Sequence, residues 1–113
     1  MAKRPAHPLT SVRVTSTLEK LKFVWDPDKA LANPGVHDGV TFDLARRAFL
    51  DPMQIEFEDD REDYGERRYI VLGAIDGVVH HVTYTPRGGR IRIISARRAE
   101  RHEANRYYKE NSF

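Results

Sequence analysis

The stretch "RRYIVLGAIDGVVHHVTYTPRGGRIRIIS", residues 67–95, decides the fold. Three runs rich in β-branched and aromatic residues, "RRYIVLGA", "VVHHVTYT" and "RIRIIS", read as strands. Between the first two, Asp76-Gly77 suits a type I′ turn, because both central positions of that turn need positive φ. "PRGG" turns the chain a second time. Connections this short force antiparallel neighbours. The expected core is a meander in which strand order follows the chain.

Working outward, "MQIEF" adds a short strand, joined to the meander through the acidic connection "EDDREDYGE". Upstream, a helix is expected over Thr41–Leu50. Thr41 is its cap, Val40 a staple, and Phe42, Ala45 and Phe49 form one apolar stripe. Asp51-Pro52 ends it. Before that, "LKFVWD" offers a strand at Leu21–Trp25, with Asp26 as N-cap and Pro27 at the first position of a two-turn helix. Asn33, Pro34 and Gly35 are expected to stop that helix. At the other end, Ala99–Glu110 reads as a helix with a narrow apolar patch of Ala104, Tyr107 and Tyr108. The expected fold class is α+β: a small antiparallel β-meander sheet, two N-terminal helices packed on it and a C-terminal helix, all covering one face. Residues 1–20 read as a flexible tail and residues 21–113 as a single domain.

A chain of 113 residues buries one modest core. It has no cysteine, which excludes disulfides and thiolate metal sites and suits a reducing cytoplasm. No apolar run approaches the roughly 18 residues of a membrane helix, and the first 20 residues lack the apolar segment of a secretory signal. The net charge of +2 hides an asymmetry. Residues 26–66 carry four basic and twelve acidic side chains, whereas residues 86–113 carry eight basic and three acidic ones. Such a chain can meet two kinds of partner, and a basic end suits nucleic acid.

The arginines concentrate in "GRIRIISARRAERHEANRYY", residues 89–108. Strand alternation turns Ile91 and Ile93 one way and Arg90 and Arg92 the other. Guanidinium groups offer planar forks of donors that match phosphate oxygens, so Arg90 and Arg92, with Arg87, Arg97 and Arg98 nearby, can cradle a sugar-phosphate backbone. A merely solvated sheet face is the plainer reading of the same spacing. Glu66, just before Arg67 and Arg68, reads either as a structural ion pair or as the acceptor of a ribose 2′-hydroxyl proton. His37 is a loop histidine suited to the same task or to hydrogen bonding in the loop. Tyr64, Tyr107 and Tyr108 can stack on bases or pack. His80 and His81 are adjacent in a strand, face opposite sides and cannot ligate one metal. No metal set, nucleotide loop or Ser-His-Asp order is present, so neither metal nor cofactor is expected.

"FVWDPDKALAN", "HDGVTFDLARRAFLDP", "DDREDYGERRYIVLG" and above all "RIRIISARRAERHEANRYY" resemble the BrnT family of toxins from type II toxin–antitoxin modules, over about Phe23 to Tyr108. The resemblance implies a RelE-like fold and a metal-independent, cytoplasmic endoribonuclease that cleaves RNA and inhibits translation. It also implies neutralisation by a BrnA-type DNA-binding antitoxin in a 2:2 complex, with operator DNA reached only through the antitoxin and no membrane partner. With it, Glu66, His37, Arg68, Arg92 and Arg97 become the expected catalytic set, and Arg87, Arg90, Arg98 and Tyr107 the expected RNA contacts. An alternative is a catalytically inactive RelE-like protein that only binds antitoxin or RNA. The chain departs from the family's usual Lys-His-Gly-Val: it reads Val36-His37-Asp38-Gly39-Val40, without the lysine and with one residue added.

Overall fold

The computed structural model describes residues 22–112; the expected tail at residues 1–20 lies outside them. The elements are β1 (Phe23–Val24), α1 (Pro27–Val36), α2 (Phe42–Ala45), a 3-10 helix (Arg46–Leu50), β2 (Ile55–Glu58), β3 (Tyr69–Ile75), β4 (Val78–Arg87), β5 (Arg90–Arg98) and α3 (Arg101–Glu110). The fold is α+β, with strand order β1-β5-β4-β3-β2.

The hairpins form as their turns dictate. Asp76 and Gly77 have φ of 51° and 81°, and Gly88 and Gly89 have 57° and 76°, so both turns are built from positive-φ pairs. The second turn needs only the two glycines, and β4 runs on through Pro86 to Arg87. Strands β2 to β5 are the expected antiparallel meander. The full sheet is mixed, because β1 pairs parallel with β5, Phe23 beside Ile91 and Val24 beside Arg92. Strand order therefore does not follow the chain throughout. A parallel neighbour needs a long connection, and here almost the whole domain supplies it.

The helices also divide. Val71, Ile75, Val82, Ile93 and Ala96 pack under Val40, Phe42, Ala45 and Ala48 on one face, called here the α1 face. On the other, Ile70, Leu72 and Val79 pack against Tyr107, so α3 covers the second face and not the one shared by the N-terminal helices. The reason lies in β3, whose residues 70–72 (Ile, Val, Leu) are all buried and present apolar side chains to both sides.

The expected caps are in place: the Asp26 carboxylate accepts the Asp28 N–H and the Thr41 hydroxyl accepts the Leu44 N–H. Two helical boundaries differ from expectation. Helix α1 passes through Pro34 to Val36, because the chain still bonds His37 N–H to the Asn33 carbonyl at 2.8 Å. The Thr41–Leu50 segment is α-helical only to Ala45 and then tightens into the 3-10 turn. That turn rests directly on the sheet, where a Cβ added to Gly73 would sit 2.5 Å from the Ala48 carbonyl oxygen. Only glycine allows the approach. Asp51, just past the turn, accepts the Ala74 N–H at 2.7 Å and the Tyr107 hydroxyl, fastening both helical layers to the sheet.

Candidate nucleic-acid interface

One irregularity organises the basic residues. Thr83 pairs with Ser95 while Tyr84 pairs with Ile93, so Ile94 is an extra residue, a β-bulge in β5. Both Ile93 and Ile94 are buried. Without the bulge, Arg92 and Arg97, five positions apart, would face opposite sides. With it, Arg92 pairs with Thr85 and Arg97 with His81, and both face the α3 side. Arg98 pairs with His80 and turns to the α1 side. Alternation in a regular strand would give the reverse for these last two, and nothing local in the sequence announces the bulge.

At the turn end of the α3 face, Arg87 and Arg90 are cross-strand partners, with Thr85 and Arg92 the next pair on that face. The Thr85 hydroxyl donates to the Arg67 carbonyl at 2.7 Å, which brings the start of β3 alongside. There Arg68 Nε donates to Glu66 Oε2 at 3.1 Å, and Arg87 Nη2 donates to Glu66 Oε1 at 3.4 Å. The Arg68 guanidinium lies 4.1 Å from the centre of the Tyr64 ring. Glu66, Arg68, Arg87, Arg90 and Arg92 are thus brought to one end of one sheet face. Arg90 and Arg92 have no carboxylate partner among the described residues.

The other expected residues lie elsewhere. Arg97 is held in a two-pronged pair with Glu103, at 2.8 and 2.9 Å, which pins the first turn of α3 to the sheet. His37 lines a small groove beside β5 with Lys29, Ala32, Asn33, Val36, Ile94 and Ser95, away from Glu66. Tyr107 is buried, with its hydroxyl on Asp51, and presents nothing to a ligand. Tyr108 is exposed and borders Tyr107. Glu100, His102 and Glu103 place ligand atoms within 4.8 Å of one another. Glu103 there already serves Arg97 and the Glu100 N–H, as the third residue of a capped helix.

Two buried titratable groups, His81 and Asp59, lie outside the expected site set. His81 is buried between sheet and helix, its Nε2 3.6 Å from Glu103 and its Nδ1 without a partner among the described residues. Asp59, in the acidic connection, is buried and gripped by Arg61 at 2.7 and 2.8 Å.

These environments set the pH response. The Arg61 hydrogen bond holds Asp59 down at about 2. Burial alone would raise Glu103, but the Arg97 guanidinium and the Glu100 N–H outweigh it and hold the carboxyl at about 2. Burial, then the neighbouring Arg97, pushes His81 below the usual histidine range. All three are depressed in the folded chain, so each contributes stability above its unfolded value and loses it as pH falls. The melting temperature is expected to decline below about pH 6.5 as unfolded histidine binds protons, and most steeply from about 4.5 towards 2, by about 10 °C or more in total. Thermal melts followed by circular dichroism across this range check it. A midpoint constant down to pH 3 would contradict the assignment.

The fold and its guanidinium-lined end define a small α+β domain equipped to hold a polyanion. Residues 25–103 match the model of the family described as the ribonuclease toxin, BrnT, of type II toxin–antitoxin system, and the chain belongs to that family. It is thereby a ribonuclease toxin of a two-component module whose other member is an antitoxin. No match was found among curated proteins. No helix among the described residues is long and apolar enough to cross a membrane.

Proposed function

We propose that this toxin is a metal-independent, RelE-like endoribonuclease that cleaves RNA in the cytoplasm and so inhibits translation, with a BrnA-type antitoxin neutralising it in a 2:2 complex. The observation that carries the catalytic reading is the convergence of Glu66, Arg68, Arg87, Arg90 and Arg92 on one end of the sheet. The ribose 2′-oxygen attacks the adjacent phosphorus, its proton passes to Glu66, the bond to the 5′-oxygen breaks, and that oxygen takes up a proton from solvent water. The products are a 2′,3′-cyclic phosphate and a 5′-hydroxyl. Negative charge grows on the non-bridging oxygens, and Arg92 and Arg90, without a carboxylate partner among the described residues, stand ready to stabilise it. His37 takes no part in this scheme, because the groove it lines with Lys29, Asn33 and Ile94 includes neither Glu66 nor the grouped arginines. Arg97 serves the structure of the face through Glu103.

A second reading, a binding protein without catalysis, draws on Glu66 itself. Two guanidinium groups already engage its carboxylate, one on each oxygen, so both atoms that would take the proton are occupied. Incubating the purified chain with RNA in excess EDTA separates the two. The expected result is cleavage at an unchanged rate with cyclic-phosphate ends. Loss of cleavage on chelation would remove metal independence, and micromolar binding without any cleavage would favour the second reading.

A further inference from the structure

We propose that Tyr64 is a positioning residue that orients Arg68 for the transferring phosphate, an inference that rests on the ribonuclease reading above.

The acidic connection before β3 is a built loop. Its ends are joined by the Asp59 N–H donating to the Arg68 carbonyl at 2.8 Å. At its centre the Asp59 carboxylate, 1% exposed, accepts from Arg61 Nε, Arg61 Nη2, the Arg61 N–H and the Tyr64 hydroxyl, the last at 3.2 Å. A buried carboxylate with that many donors fixes the loop's path. The consequence falls on Tyr64, whose ring lies under the Arg68 guanidinium carbon, 4.1 Å from the ring centre.

Arg68 is therefore constrained on two sides. The aromatic face lies beneath its guanidinium carbon, and Glu66 takes its Nε at 3.1 Å. Its two Nη groups make no hydrogen bond among the described residues, so the paired donors that match a phosphate are left open. One face of the Tyr64 ring is covered by Arg68. Holding a guanidinium in advance removes ordering cost at the moment of reaction, so its effect belongs in kcat and not in KM.

The test compares Tyr64→Phe, which keeps the ring, with Tyr64→Leu, which does not, each alone and combined with Arg68→Ala. Steady-state cleavage of a short single-stranded RNA is the readout, with thermal melts alongside. Tyr64→Phe is expected to stay within about threefold of wild type, and Tyr64→Leu to lose about tenfold in kcat with KM within about twofold. In the Arg68→Ala background, Tyr64→Leu is expected to add nothing, which a general loosening of the loop would not produce. Wild-type kcat in Tyr64→Leu, or losses that multiply in the double variant, would overturn the role. A wild-type chain that cleaves no RNA would overturn the ribonuclease reading together with it, so the two failures are told apart by the wild-type lane.

Discussion

Arg92→Ala is expected to lower RNA cleavage by about a hundredfold or more, to abolish growth arrest on expression, and to leave antitoxin binding intact. Arg92 sits in β5 between Val24 and Thr85, half-buried along its stem and directed to the α3 face. Two neighbouring arginines are engaged with a carboxylate, Arg68 and Arg87 with Glu66, and Arg97 further along β5 is engaged with Glu103. A guanidinium whose Nη groups are already held by a carboxylate, as those of Arg97 are, offers less to a phosphate than one whose Nη groups are open. Arg92 has no such pair among the described residues, so its donors are left for the substrate. Truncation removes no ion pair among the described residues, and the melting temperature is expected to move by only about 2 °C. Growth arrest at wild-type strength in this variant would take Arg92 out of the site.

Asn33→Leu is expected to cost on the order of 3–5 kcal/mol of folding stability. Asn33 is buried at the end of α1. Its Nδ2 donates to the Val40 carbonyl at 2.8 Å and the Ala96 carbonyl at 2.7 Å, and its Oδ1 accepts the Ala96 N–H at 3.3 Å. The pairing is that of a neighbouring strand. Strand β1 covers β5 only at Ile91 and Arg92, and past them the side-chain amide of Asn33 closes the sheet edge at Ala96. Leucine fills the space but leaves three buried backbone groups unpaired, each costing about 1–3 kcal/mol. Urea unfolding followed by tryptophan fluorescence from Trp25 measures the loss, and a midpoint equal to wild type would show that water or the backbone replaces the amide.

Asn33 also marks where reading from sequence stops. Asparagine before Pro-Gly is a sound helix terminator by local rules, and those rules act only on chain neighbours. Its partner Ala96 lies 63 positions away. Asp59 was hidden in the same manner, since five of its immediate neighbours, Glu58, Asp60, Glu62, Asp63 and Glu66, are acidic and mostly exposed. For Tyr107, of the two readings open in the sequence, stacking or packing, the structure bears out packing, three residues after Ala104 on the patch that lies on the sheet. The continuous apolar run of β3 likewise carried the signal that both sheet faces would be covered.

Hairpins, their positive-φ turns, the N-caps at Asp26 and Thr41 and the direction of Arg90 and Arg92 were determined by the chain alone, because each depends on residues a few positions apart. The parallel β1, the side taken by α3 and the sorting of arginines into paired and unpaired were decided by tertiary structure. A bulge at Ile94 swaps the faces of Arg97 and Arg98, and carboxylates from a loop and a helix then engage some guanidinium groups and spare others. Such choices follow from contacts between segments that meet only when the core closes.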